Sequence, residues 1–428
     1  MIGNPNEPGV TSTVRSAPSV STSGPSAGTP LLVASADLDN GSANANEVYS
    51  VDSATTAQNL FGNNSWLTRG LIDAVNQGAQ PVLAIAPEES TVTQDISGLS
   101  GTSGSIDEPL KEDAEDITVT VDGTEKTVVW TLDDPSESTV DGDDVHINQT
   151  DDSFELDAAP SSDGSIEYTK LDYSGALDAA VEYTGAVDVV SARKERSDVT
   201  SAAIGAANQM ETESTFVFVQ AGIPQPVDAD EFTNSYDTSR LQLFSAVRTR
   251  DFGSAIPSLL GLRAELGLTA TPINQQVPLR DRPYQGLNAT ERATLIDKNV
   301  TPLERIGESV RVADDLTTVS EENSEEQNYK WGFSRLAVDF IIETVQTIEK
   351  PFVGKFNSPG AIEQLQDLLN KETRTLQESN VVYEYEANVT MVSPTKAKVT
   401  FRADVAEPIR FIENEFVIGQ NLTLQNSA

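Results

Sequence analysis

What most constrains this chain is an alternation of strand and helix patterns that begins at Leu31, breaks near Glu88 and resumes near Tyr173. LLVASA (31–36) is a short apolar run, EVYSV (47–51) reads as extended, and PVLAIA (81–86) is a second buried run. Between them, SWLTRGLIDAVNQG places Leu67, Leu71, Ile72 and Val75 on one helical face. Ser65 is its cap and Gly78 its stop. After the break, GALDAAVEYTG predicts a helix, AVDVVSA a strand, SDVTSAAIGAANQM a helix and TFVFVQAG a buried strand, with RLQLFSAVRTRD as a further strand. Strand–helix–strand order builds a parallel or mixed sheet covered by helices, so the expectation is a mixed α/β fold whose sheet continues across the interruption.

The interruption has a different character. SGLSGTSGS is followed by short alternating runs (ITVTV, KTVVWTL, DVHI) parted by DG, DDP and DGDD turns, the pattern of hairpins in a small β domain. Residues 91–172 carry 22 Asp and Glu against 3 Lys, which is −19 of a formal net charge of −39. They read as an acidic, β-rich insertion with a solvated outer surface. So acidic a chain is very soluble and self-repelling, which concentrated salt relieves, and a halophilic archaeal origin is the expectation. It makes a poor direct binder of nucleic acid or anionic membranes, since phosphate recognition needs basic patches. No apolar run reaches the roughly 18 residues of a membrane span. MIGNPNEPGV shows no basic then apolar leader, so synthesis and residence in the cytoplasm are expected.

The best-formed pattern lies near the end of the chain. Phe333, Leu336, Ala337, Phe340, Ile341, Val345 and Ile348 stripe one helix. Ile362, Leu365, Leu368, Leu369 and Leu376 stripe a second, with Ser358–Pro359 as its cap and first residue. NATERATLIDKN carries a capping box, Asn288 with Glu291. ANVTMV and AKVTFRADV form a hairpin in which Val399, Phe401, Ala403 and Val405 share one face. Residues 1–30 are too rich in Pro, Gly, Ser and Thr to bury a core, and IRFIENEFVIG follows Pro408 as an isolated β-prone run. The expected division is a 1–30 arm, an α/β domain of 31–90 with 173–250, the 91–172 insertion, a C-terminal inner domain of 251–405 and a 406–428 arm.

Chemistry is hard to find. There is no Cys, no Walker loop and no GxGxxG after the first strand. The single histidine, His146, has no second imidazole or nucleophile motif beside it and reads as a half-exposed strand residue. Asp133, Asp134, Asp141, Asp143 and Asp144 miss the spacing of a calcium loop and suggest only diffuse cation binding. No catalytic residue, metal site or cofactor is expected.

The order of these parts resembles the contractile tail sheath family of tailed viruses and related injection particles. The resemblance covers most of the chain. It rests on PGV (Pro8–Val10), on VYSVDSATTAQNLFGNNSWLTRGLIDAVNQGAQPVLAIAPEE with its Phe61–Gly62 step, on AIPSLLGLRAELGLTATPINQQVPL, on LNATERATLIDKNVTPLERI and VRVADDLT, and on NYKWGFSRLAVDFIIETVQTIEKPFVGKFNSP. The sequence departs where many relatives have a basic pair before the long helix, having only Lys330, and where AIEQLQDLLNKE replaces a Trp-rich helix. The resemblance implies a sheath-like inner domain with a mixed sheet flanked by helices, and a structural subunit rather than an enzyme. Its partners would be further copies of itself in six-membered rings, an inner tube protein, and baseplate and cap proteins. It also implies strand exchange by the terminal arms, through Val10 and Val14 at one end and Ile409, Phe411, Phe416 and Ile418 at the other. The pair Lys371 and Arg374, and the hinge lysines Lys350 and Lys355, are candidate contacts to an acidic tube. A soluble halophilic α/β enzyme or ligand-binding protein is the alternative.

Overall fold

Six parallel strands with an antiparallel strand at each edge form the central sheet of this computed structural model. The structure describes residues 28–111, 117–132, 140, 144–212, 215–225, 227–268, 270–281, 283–323, 326–354, 358–378, 381–393 and 395–405. In chain order, β1 (Pro30–Val33) and β2 (Tyr49–Val51) precede helices α1 (Ala54–Phe61) and α2 (Trp66–Asn76), and β3 (Val82–Ile85) closes the first block. Next come β4 (Glu88–Asp95), β5 (Ser103–Ser105), β6 (Ile117–Val121), β7 (Thr124–Thr131), β8 (Asp144–Asn148), β9 (Ser153–Leu156) and β10 (Gly164–Asp172). The α/β pattern resumes with α3 (Tyr173–Glu182), β11 (Val189–Ala192), α4 (Ser197–Thr212), β12 (Phe218–Gly222) and β13 (Leu241–Ser245). Then follow α5 (Ile256–Leu266), α6 (Ala289–Asp297), β14 (Thr301–Ile306) and β15 (Ser309–Val312). The chain continues through α7 (Gly332–Glu349), α8 (Pro359–Glu378), β16 (Val382–Ser393) and β17 (Lys396–Val405).

The central order is β15-β14-β13-β12-β11-β1-β3-β2, so β11 pairs directly with β1 although the whole acidic segment lies between them in sequence. Strand alternation divides the core into two layers. Leu31, Val33, Val190 and Val219 face Leu177 and Ala180 of α3 and Val199 and Ala203 of α4. Leu32, Val82, Ala84, Val189 and Phe218 face Phe61, Leu67, Leu71 and Leu260 of α1, α2 and α5. A sheet covered on both faces has strands buried throughout, which is why β1, β3, β11, β12 and β13 read as unbroken apolar-rich runs.

Three details differ from expectation. Residues 54–61 form a helix where the sequence reading assigns no element between the extended 47–51 run and the Phe61–Gly62 step: Ser53 caps it by accepting the Thr56 N–H, and Gly62 ends it at φ +79°. The sheet does not stop at residue 250, because β14 pairs with β13 and β15 with β14. Leu368, counted in the α8 stripe, is 40 % exposed; α8 buries Leu365, Leu369, Thr373 and Leu376 instead.

Strands β4–β10 form a second sheet of seven, ordered β4-β10-β6-β7-β8-β9-β5, around Val119, Val145, Ile147, Phe154 and Ile166. β16 and β17 form a third, two-stranded sheet, against which α7 and α8 pack through Phe333, Ala337, Ile341, Leu369 and Leu376.

Candidate functional site

The residues singled out for assembly fall into two groups. Val10, Val14, Lys355, Ile409, Phe411, Phe416 and Ile418 lie outside the described residues. Lys350 is exposed at the end of α7, and Lys371 and Arg374 are exposed on α8 with no salt bridge among the described residues. His146 sits on β8 opposite Val129 of β7 and Glu155 of β9. No group of three His, Cys, Asp or Glu among the described residues is arranged to hold a metal.

The densest polar chemistry is the seat of α7. Its N-cap, Trp331, offers no side-chain acceptor, and Asp315 supplies one from a distance by accepting the Phe333 N–H at 3.0 Å. Asp315 is fully buried and ion-paired with Arg263, and Gln242 donates to it at 3.0 Å. Gln242 in turn accepts from Arg263 at 3.1 Å and from Gln220 at 3.0 Å. Gly332 is required here: a Cβ would stand 2.7 Å from the Asp315 carboxylate and 3.0 Å from the Arg263 guanidinium. Two turns along α7, Asp339 pairs with Arg335 on its own helix and with Arg240 at the start of β13. Burial makes breaking such pairs costly, so they orient α7 on the sheet rather than merely adding stability.

A second buried network joins the two large sheets. Lys194, just after β11, contacts Asp152 at 2.6 Å and the carbonyl of Gln149 at 3.2 Å, and both charged side chains are wholly buried. Arg196 donates to Asp152 at 3.3 Å and to the carbonyls of Ile106 at 2.7 Å and Asp107 at 2.9 Å. Arg248 meets Glu195 at 2.5 Å, and Asn148 donates to the Gln225 carbonyl at 2.8 Å. Burial pushes the Asp152 carboxyl up, opposed by Lys194 and Arg196. A cleft of about 520 Å³ lies beside this network, bordered by Asp107, Glu195, Arg196, Gly222 and Tyr236. The one sequence signal for the network is the charged run Arg193–Arg196, directly after a buried strand.

Both networks fix elements against one another. No family model matches the sequence and no curated relative is found by sequence. The fold, however, has close counterparts among solved structures. The helical sheath of the anti-feeding prophage, in its contracted state, aligns with a TM-score of 0.60 at 13 % identity over 97 % of this chain and 99 % of that one. The sheath of PVC, an extracellular contractile injection system, also contracted, gives 0.61 at 9 % identity over 98 % and 99 %. The sheath tail protein of Desulfitobacterium hafniense gives 0.54 at 12 % identity over 93 % and 100 %. The chain therefore has the fold of contractile sheath proteins.

Proposed function

We propose that this chain is the subunit of a contractile tail sheath. It polymerises around an inner tube and shortens to drive that tube through a cell envelope, for genome ejection or effector delivery. The observation that carries the reading is the alignment of nearly the whole chain with two contracted sheaths at TM-scores of 0.60 and 0.61. The six-fold symmetrised baseplate of the anti-feeding prophage, whose chain aligns equally well, favours rings of six. Contraction of this kind needs no nucleotide, because the energy resides in a lattice with two packings. Baseplate, tube and cap proteins are the partners this role requires, and the tail of a virion or an injection particle assembled in the host cytoplasm is the location. The net charge of −39 suits a particle that works in concentrated salt, as in haloarchaea.

Within this reading, residues 91–172 face outward, the terminal segments exchange strands between subunits, and Lys371 and Arg374 face the tube. Electron microscopy of the purified chain tests the function directly. Rings, tubes or helical polymers are expected; a persistent monomer at all salt and protein concentrations overturns it. The cleft beside Arg196 gives the alternative its foothold, since it lies past the carboxyl ends of β11 and β12, where α/β proteins bind ligands. A monomer that retains a small molecule there would favour that alternative.

A further inference from the structure

The joint between the two large sheets holds a lysine and an aspartate that water does not reach. Asp152 sits just before β9 and Lys194 just after β11, and both side chains are wholly buried. Lys194 Nζ stands 2.6 Å from Asp152 Oδ1. Asp152 is firmly held in place. Its N–H donates to the Asn148 carbonyl at 3.1 Å, and its own carbonyl accepts the Ile106 N–H at 2.9 Å. Its backbone takes φ +60°, a left-handed conformation that residues other than glycine seldom adopt unless their surroundings impose it.

The two oxygens of that carboxylate have different company. Oδ1 meets the Lys194 amine, whereas Oδ2 takes two donors, the Leu110 N–H at 3.1 Å and the Arg196 guanidinium at 3.3 Å. The carbonyls of Gln149 and Leu110 lie 3.2 and 3.4 Å from Nζ and accept its other hydrogens. An amine at one oxygen, with a backbone N–H and a cation at the other, is an arrangement that steadies charge developing on oxygen during acyl transfer. We infer that Lys194 and Asp152 condense into an amide, a covalent cross-link between the inserted sheet and the central sheet. The inference stands apart from the sheath reading, since the bond forms within one folded chain.

Nζ first passes a proton to Oδ1, leaving a neutral amine beside a neutral carboxyl. Burial favours that pair: it pushes the Asp152 carboxyl up, against the pull of Lys194 and Arg196. The amine nitrogen then bonds to Cγ, and negative charge gathers on Oδ2, where the Leu110 N–H and Arg196 receive it. A second proton moves from Nζ to the Oδ1 hydroxyl, the Cγ–Oδ1 bond breaks, and water leaves as the Oδ2 carbonyl re-forms. Ammonium and carboxylate thus become an amide and one water, with no oxidant, reductant or other reactant. The cleft bordered by Asp151 and Arg196 lies beside the site and can receive that water. With solvent excluded from both side chains, the reverse hydrolysis lacks its reactant.

Mass spectrometry of the full chain, folded and then denatured, reads the bond. The unsubstituted protein is expected to be lighter than its sequence by a single water, and its proteolytic digest to contain a branched peptide joining Lys194 to Asp152. Lys194→Arg can still donate to Asp152 but has no amine to acylate, so it should keep its full mass. A folded, unsubstituted chain at full mass overturns the cross-link. So does a water loss that persists in Lys194→Arg, or one that fragmentation places elsewhere, such as a cyclised Asp122 before Gly123. Should Lys194→Arg not fold, the digest of the unsubstituted chain still decides, because the branched peptide is either there or not.

Discussion

Asp315 takes hydrogen bonds from Arg263, Gln242 and the N–H of Phe333, so one buried side chain joins α5, β13 and the start of α7. Removing it would leave the Arg263 guanidinium buried and uncompensated. Asp315→Ala is therefore expected to lower unfolding stability by about 3–5 kcal/mol in denaturant titrations. By contrast, the Arg402–Glu386 pair is more than 60 % exposed on both sides, and Arg402→Ala should cause little measurable change. Lys371 and Arg374 pose the opposite question, since nothing within the described chain uses them. Replacing both with Glu should impair growth of the sheath on its tube while shifting the melting temperature by less than about 2 °C. Normal extended sheaths from this variant would return both residues to ordinary solubilising charge. His146, the one imidazole, remains a strand residue without a neighbouring metal-ligand cluster among the described residues.

At the scale of elements, the hairpin is the most telling. β16 and β17 pair only with each other among the described residues, so no strand lies beyond either edge, although Gln366 of α8 meets the Ala387 carbonyl and the Val389 N–H of β16. Two-stranded sheets are marginal by themselves, and this one gains support on one face from α7 and α8. A strand supplied by another subunit would satisfy those edges with directional hydrogen bonds. Deleting residues 1–25, or everything after Glu407, should yield a folded monomer, by circular dichroism and sedimentation, that no longer forms extended sheaths. Normal assembly by either truncation would end the exchange idea. The helices show what local pattern can and cannot reveal. α2 announces itself by periodicity and its Ser65 cap, α6 by the Asn288–Glu291 capping box and α7 by periodicity alone. α1 has the cap signal, Ser53, but only eight residues and a weak apolar stripe, so its burial under the sheet, rather than its pattern, makes it a helix.

For the whole molecule, the second sheet matters most. Its removal would strip Lys194, Arg196 and Arg248 of buried partners, so simple deletion of 91–172 is expected to unfold the core rather than leave a smaller working subunit. Its position in a particle is better tested by labelling. The chain has no cysteine, and Ser100 lies exposed in the loop between β4 and β5. Ser100→Cys should react with a maleimide at similar rates free and assembled if this sheet faces outward; protection on assembly would place it at an interface. The local elements were largely legible because periodicity, caps and turn residues act within a few positions of chain. The strand alternation announced a covered sheet, and the charge of 22 to 3 marked the acidic segment. Tertiary structure alone decided that β11 pairs with β1 across that segment, and that β14 and β15 extend the same sheet. It alone matched Lys194 with Asp152, Arg263 with Asp315 and Arg240 with Asp339, pairs 42, 52 and 99 residues apart. Among 67 acidic residues, sequence cannot say which carboxylate will be drawn out of water and made to need a particular arginine, because desolvation belongs to the packed chain and not to any stretch of it.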